Sequence, residues 1–576
     1  MQSLSAAPAS ITIALIGSGG SGVMTAGSLL LDAAGHANWY AYMTRSSGPQ
    51  IRGGEAAAMI RISNTPVESH DNRFDILVAI DWRNAERFAA EIPLDSDSLI
   101  VADPEGGAIP EKIAAMGARN YDLPMKALCK GIVGGRPNMV ALGAIAALTG
   151  LPEQSLLDIL GKALGRKGEA AITASTEAIR AGIASCGDLP SRSLPRSTDT
   201  PATERWSITG NEAVGLGALR GGVRFVAAYP ITPATEVLEW LAPALDKVGG
   251  VLVQAEDELS SINQIIGASF GGVPALTATS GPGLALMMES IGLAVAAEIP
   301  IVVVNVMRGG PSTGIPTKSE QTDLNIALYG LHGDAPHLVV APTSVADCLF
   351  TTQWGVQLAE ALQTPAIVLS DQSLGQTRAV LERPADLALL EHRNAATHMD
   401  PDYKRYAVTA SGISPMAIPG TPGGQYTADG LEHNELGTPS SQAEDHRIQL
   451  DKRYRKLHEF NYGDHWADIE GTGKIAVITW GSSCGPVREA LAQRRDGGRN
   501  IRLVAVRLLS PEQPDKLQAA LQGVERVLVV EQSHRGQFYK YLRAHYDLPG
   551  EIRAFFRPGP LPIRPREVHE QLAEWN

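Results

Sequence analysis

Residues 252–268 read LVQAEDELSSINQIIGA, with three acids in a row at Glu256, Asp257 and Glu258. On a helix starting at 256, Glu256 shares a stripe with Ser260 and Asn263, and Asp257 with Ser261 and Gln264. Glu258 shares its stripe with Ile262 and Ile265, so it is the acid that points toward apolar surroundings. A carboxylate there is costly unless it is paired, hydrogen-bonded or protonated. Burial raises a carboxylate's pKa, which leaves it able to hold or share a proton near neutrality. A plain helix-start acid favoured by the dipole fits the same residue. Periodicity alone leaves both readings open.

The flanking sequence places this helix in a doubly wound α/β block at about 206–385. RFVAAYP (224–230), GVLVQ (250–254), PALTATS (274–280), PIVVVNVM (300–307), HLVVAP (337–342) and PAIVLSD (365–371) are strand candidates separated by helical patterns. A first block, 1–185, alternates in the same way through ITIALIG, TAGSLLLDAAG, WYAYMT, DILVAID and SLIVAD. The expectation there is a parallel sheet with helices on both faces. The Pro- and Ser-rich stretch 186–205 reads as a linker. Residues 386–469 are Gly-, Pro- and His-rich and read as an extended wrapping segment, with a short helix near DKRYRKLHEF (451–460). Alternation returns in a third block, 470–576.

The chain has 576 residues, a formal net charge of −13, 44% hydrophobic and 19% charged residues. This is the composition of a globular protein with ample chain for several cores. The acidic balance argues against nucleic acid and against an anionic membrane surface. MQSLSAAPAS carries no Lys or Arg and does not read as a signal peptide, and no apolar run approaches a membrane span. A cytoplasmic location is expected. Cys129, Cys186, Cys348 and Cys484 stand alone without a CxxC pair, so neither a metal site nor an iron–sulfur cluster is expected within this chain.

GSGGSG (17–22) follows a strand and opens a helix, satisfying G-x-G-x-x-G with Gly17, Gly19 and Gly22. A nicotinamide site would also need an acid ending the next strand. That region reads WYAYMTRSSGPQIRGG, with Arg45 and Arg52 and no acid, which disfavours a nicotinamide oxidoreductase. A phosphate-bearing ligand, or a turn that only packs helix on strand, remains open.

Glu258, Gly267 and then TATSGPG (277–283) resemble the pyrimidine-binding domain of thiamine-diphosphate enzymes. YPITPATE (229–236) and NVMRGGPSTGIPTKSEQTDL (305–324) narrow the resemblance to 2-oxoacid:ferredoxin oxidoreductases. GSGGSGV with RSSGPQIRGGEA (45–56) is similar to that family's gamma domain, and VVEQSHRGQF (529–538) fits its transketolase C-terminal-like domain. The whole chain thus resembles a fused gamma–alpha subunit. Its expected fold is multidomain α/β: a gamma-type domain, a doubly wound pyrimidine-binding domain and a transketolase C-terminal-like domain.

The resemblance implies roles residue by residue. Glu258 would hydrogen-bond N1′ of the aminopyrimidine and promote the tautomer that deprotonates C2. Pro230 would approach the pyrimidine ring. Thr232, Arg308 and Thr317 would contact the 2-oxoacid, with guanidinium suited to a carboxylate. Arg45 and Arg52 are candidates for coenzyme A phosphates by charge. Without the resemblance, the prolines could simply shape a turn, Thr232 could cap a helix, and Arg308 could sit in a surface loop.

A GDG diphosphate–Mg²⁺ motif is missing from the sequence, as is a cluster-ligating cysteine set. The resemblance assigns both to a separate beta subunit carrying Mg²⁺ and a [4Fe–4S] cluster, within a dimer of heterodimers. The implied reaction converts a 2-oxoacid, coenzyme A and oxidised ferredoxin to acyl-CoA, CO₂ and reduced ferredoxin, reversibly. 2-Oxoglutarate is the first expectation for the substrate, with pyruvate or broad 2-oxoacid use behind it. A non-catalytic scaffold subunit is the rival of another class.

Overall fold

The computed structural model describes residues 9–47, 54–187, 189–195, 204–388, 392–396, 401–496 and 500–575. The chain forms two compact units: residues 1–209 with 376–385 and 564–567, and residues 210–375 with 386–563 and 568–576. Twenty strands among the described residues are numbered in chain order.

The first unit is built on an eight-stranded sheet. Its strands are β1 (Ser10–Ser18), β2 (Tyr40–Ser47), β3 (Glu55–Ser63), β4 (Ile76–Ala79), β5 (Leu99–Ala102), β6 (Arg119–Asp122), β7 (Arg205–Thr209) and β14 (Arg378–Glu382). The order is β6-β5-β4-β1-β3-β2-β14-β7. Along β1 the side chains alternate between two cores. Ile11, Ile13 and Leu15 join one, while Ala14 and Ile16 join the other.

The expected parallel sheet is found only in part. β1, β4, β5 and β6 run parallel, but β3 is antiparallel to both β1 and β2. The reason is chain length. Only residues 48–54 separate β2 from β3, and a parallel return needs a crossover of about a dozen residues. The expected block boundaries at 206 and 385 also differ from the sheet's membership. β7 and β14 pair with each other and β14 pairs with β2, all antiparallel, so both ends of the second block supply strands to the first sheet.

The second unit holds two sheets. One has the order β18-β12-β13-β11-β10-β8-β9. Its strands are β8 (Phe225–Ala228), β9 (Val251–Gln254), β10 (Ala275–Thr279), β11 (Val302–Met307), β12 (Leu338–Val340), β13 (Ala366–Asp371) and β18 (Leu508–Ser510). All neighbours are parallel except β18, which is antiparallel to β12. β10, β11 and β13 are buried throughout. This agrees with their mostly apolar, Val-, Ile- and Ala-rich sequences, since a parallel sheet covered on both faces has no polar side.

The other sheet has the order β15-β17-β16-β19-β20. It comprises β15 (Ala467–Glu470), β16 (Ile475–Trp480), β17 (Arg502–Val506), β19 (Arg526–Glu531) and β20 (Glu551–Phe556).

Residues 401–442 are irregular, and a helix follows at Ala443–His458, longer than the short helix expected. Its charges suit its dipole, with Glu444 and Asp445 in the first turn and Arg455, Lys456 and His458 in the last. This segment is anchored by buried ions. Lys452 and Lys456 place their Nζ atoms 2.6 and 2.9 Å from the two carboxylate oxygens of Glu298. Arg405 donates to the Glu298 carbonyl at 2.9 Å.

Candidate active site

The strand order of the large parallel sheet reverses around β8. From β8 the chain moves to β9 on one side, then crosses to β10 on the other. The loops leaving β8 and β10 therefore diverge and open a crevice at their carboxyl ends, where open α/β sheets bind ligands.

Glu258 lies in that region. Asp257 caps the helix Glu258–Phe270, its carboxylate accepting the Ser260 amide at 2.6 Å. Glu258 is the first helical residue and is 7% exposed, whereas Glu256 and Asp257 are exposed. The apolar-stripe and helix-start readings thus hold for the same residue. Ile262, Ile265 and Ile266 bury the same helix beside it.

Across the crevice stands the SGPG turn after β10. A Cβ on Gly283 would lie 2.7 Å from Glu258 Oε1 and 2.1 Å from Thr279 Oγ1. Only glycine lets the two segments approach this closely. The buried Ser280 hydroxyl has no hydrogen-bond partner among the described residues.

Arg308 follows directly on β11 and is 7% exposed. Its Nη1 donates to the carbonyl of Thr232 at 2.7 Å, while its Nε is buried without a partner among the described residues. The structure therefore brings Arg308 onto the loop that carries Pro230 and Thr232. Pro230 is half-buried and Thr232 is exposed. After Arg308 the chain folds back: Ile315 N donates to Gly309 O at 2.8 Å and Gly309 N to Lys318 O at 2.9 Å. Thr317, half-buried, thus returns toward the end of β11.

Two residues of this region were not singled out from the sequence. Asn211, fully buried, donates from Nδ2 to the Pro233 carbonyl at 3.0 Å. Together with Arg308 it holds two successive carbonyls of the YPITP loop. Asp323 accepts from Asn305 Nδ2 at 2.9 Å. A Cβ on Gly281 would lie 2.7 Å from both Asp323 carboxylate oxygens, so this acid lies against the start of the helix Gly281–Ala296. Burial pushes Asp323 up to about 6, against the opposing hydrogen bond from Asn305 and the charge of Arg308. Burial works against the charge on Arg308, and Asp323 opposes that effect. The available signal was the polar run SEQTD (319–323) inside an otherwise apolar domain.

In the first unit, the GSGGSG turn joins β1 to the helix Val23–His36. Gly22 has φ 85° and packs on Asn138, whose Nδ2 donates to the Gly22 carbonyl at 3.1 Å. Asp81 accepts from the amide and the hydroxyl of Ser18 at 3.0 and 2.7 Å, which places a carboxylate at the turn. Arg45 is exposed on β2, and Arg52 lies outside the described residues. Among the described residues no cluster of His, Cys, Asp and Glu could hold a metal, and no helix is long and apolar enough to cross a membrane.

Residues 216–452 match a family described as pyruvate flavodoxin/ferredoxin oxidoreductase, thiamine diP-binding. Residues 12–185 match pyruvate ferredoxin/flavodoxin oxidoreductase. The chain is 34% identical over 466 residues to the alpha subunit of 2-oxoacid:ferredoxin oxidoreductase 2 from Aeropyrum pernix, covering 74% of this chain and 72% of the relative. It is 33% identical to 2-oxoglutarate synthase subunit KorA from Methanothermobacter thermautotrophicus, over 65% of this chain and all of the relative. A solved structure of 2-oxoglutarate:ferredoxin oxidoreductase from Magnetococcus marinus, with 2-oxoglutarate, coenzyme A and succinyl-CoA bound, superimposes with a TM-score of 0.91. It shares 36% identity across 98% of this chain and 99% of that one. With a buried carboxylate at a sheet switch point and agreement along nearly its full length, this chain belongs to the thiamine-dependent 2-oxoacid:ferredoxin oxidoreductase family, as an alpha-type subunit.

Proposed function

We propose that this chain is the alpha subunit of a 2-oxoglutarate:ferredoxin oxidoreductase, converting 2-oxoglutarate and coenzyme A to succinyl-CoA and CO₂ while reducing ferredoxin. The supporting observation is the pairing of Glu258 with the SGPG turn, opposite an arginine held on the YPITP loop. The substrate rests on likeness to the 2-oxoglutarate enzyme of Magnetococcus marinus and to KorA relatives.

The crevice fits the aminopyrimidine end of thiamine diphosphate. Its buried carboxylate faces a glycine with no room for a methyl group, and the Ser280 hydroxyl is left unpaired beside it. Glu258 and Pro230 would hold that end. When bound, the cofactor supplies carbanion chemistry at the 2-oxo carbon. Glu258 holds a proton toward N1′ of the pyrimidine. Arg308 meets the substrate carboxylate through the guanidinium edge left over from its bond to Thr232. Thr232 and Thr317 line the substrate side, and Arg45 and Arg52 are the candidates, by charge, for coenzyme A phosphates. A beta subunit supplies the diphosphate–Mg²⁺ half and a [4Fe–4S] cluster, in a cytoplasmic dimer of heterodimers.

The test is anaerobic, coenzyme A-dependent viologen reduction with 2-oxoglutarate and pyruvate in parallel, with and without the co-encoded partner. Activity that requires the partner and prefers 2-oxoglutarate is expected. Preference for pyruvate overturns the substrate, and activity of the chain alone overturns the split site.

A further inference from the structure

Arg308 is nearly buried, yet it has no ion-pair partner within bonding distance among the described residues, and its Nε donates to nothing. The carboxylate acting on it is Asp323, which approaches from the loop after the fold-back and lies against Gly281. Among the described residues the two form no salt bridge, yet Asp323 is held at 2.9 Å by Asn305, three residues before Arg308 at the end of β11. An incoming 2-oxoacid carboxylate at Arg308 would put two anions beside one buried cation. Two carboxylates sharing a site do not both stay ionised without cost.

We propose that Asp323 is a proton-linked positioning residue: it serves as counter-ion to Arg308 in the free enzyme and takes up a proton from solvent when the 2-oxoacid carboxylate binds. This rests on the assignment of Arg308 to the substrate carboxylate.

The surroundings of Asp323 allow such a change. Asn305 Nδ2 reaches it from β11, and Gly281 at the start of the helix Gly281–Ala296 lies against it. Asn305 and Arg308 favour the ionised form, while burial and Glu320 on its own loop favour the neutral form. Glu258 lies farther along that helix, against Gly283. From the helix Gln537–His545 the neutral Gln537 reaches this segment at Thr322 O and Asn325 N, and His545 reaches Tyr329 at 2.8 Å, at the far end of the short helix that follows. The free-enzyme balance, with Asp323 pushed up to about 6, lies close enough to neutrality for one more anion to tip it.

The test is calorimetric binding of N-oxalylglycine, a 2-oxoglutarate mimic that is not decarboxylated, to the assembled α–β enzyme. Each titration is run in two buffers of different ionisation enthalpy. At pH 7 the wild type should take up about half a proton or more, and Kd should rise roughly tenfold per pH unit at full coupling above pH 7. Asp323→Asn should bind with almost no proton uptake and a nearly flat pH profile. Zero uptake by the wild type overturns the proposal even if the variant fails to fold. So does uptake that persists in Asp323→Asn, or an affinity loss in that variant that leaves the pH slope unchanged. Binding indifferent to Arg308→Ala overturns the placement of the substrate carboxylate itself. Binding that needs Arg308 without a proton change overturns only the role of Asp323.

Discussion

The helix Gly281–Ala296 has a carboxylate near each end, and the two are treated in opposite ways. Beyond its C-terminus, Glu298 is completely buried with lysine nitrogens at 2.6 and 2.9 Å. Burial pushes its pKa up, but Lys452, Lys456 and Arg405 overcome this and hold it well below the usual carboxylate range. At the N-terminus, Asp323 has one hydrogen bond from a neutral amide and a cation that does not reach bonding distance, and its pKa is raised. A carboxylate that fastens structure is surrounded by more cation than it needs. One beside a ligand site is left short of compensation, so that a further charge brought by a ligand can change its protonation.

The sharpest way to break this comparison is at another acid beside this helix, the buried Glu258. Glu258→Gln keeps the shape and removes the ability to hold a proton. Turnover should fall by about 10²–10⁴-fold, the range for a positioned acid–base group, while circular dichroism stays native. Undiminished turnover would place the chain with scaffold subunits. Glu298→Gln should act on stability and not on the substrate. It leaves two lysines buried without their carboxylate, at a cost of about 3–5 kcal/mol, seen as a lower denaturant midpoint with KM unchanged. An effect confined to KM would erase the distinction between the two helix ends.

Arg308→Ala should cost about 2–4 kcal/mol in kcat/KM through loss of a desolvated charged partner, largely recovered as KM in Arg308→Lys. A loss of thermal stability without a KM change would make Arg308 a fastener of the YPITP loop only.

The smallest effect is one of sign. Asp323 is raised from 3.8 to about 6, so the folded chain binds more protons than the unfolded chain over that window. Its contribution to stability is lost as pH rises from about 4 through about 6. Glu298 is depressed, so its contribution is present above the ordinary carboxylate pKa and lost as pH falls below it. Melting temperature against pH should rise in relative terms for Asp323→Asn above pH 6 and show no such gain for Glu298→Gln. Parallel profiles for the two variants would dissolve the contrast.

The sequence carries local information of this kind well. Stripe assignment picks Glu258 from three adjacent acids because helical period and burial are tightly coupled, and the structure buries that acid alone. The apolar runs of β10, β11 and β13 read correctly for the same reason. Pairing partners are another matter. RWSIT (205–209) and RAVLE (378–382) look like ordinary strands, and nothing in either says that it extends the first sheet. Asp323 and Asn211 were missed because each works through a tertiary neighbour, Gly281 in one case and Pro233 in the other. The two lysines of DKRYRKLHEF look solvent-facing by composition, yet both are buried on Glu298, a residue 154 and 158 positions away.

The pairing of β14 with β2 has a consequence for how such a chain can be divided between genes. Arg378, Ala379 and Val380 lie opposite Met43, Tyr42 and Ala41. Val380 packs 3.0 Å from where a Gly35 side chain would begin, and Tyr40 donates to Glu382 at 2.6 Å beneath the Arg205 guanidinium. This seam joins residues on both sides of the 186–205 stretch by backbone hydrogen bonds, a shared core, a tyrosine–carboxylate hydrogen bond and a cation–π contact. A polypeptide nicked within that stretch would still present both edges of the seam to each other. Fusion of the two blocks thus adds a covalent tether to a sheet that is already closed by pairing, and two co-expressed fragments should reassemble as a non-covalent complex.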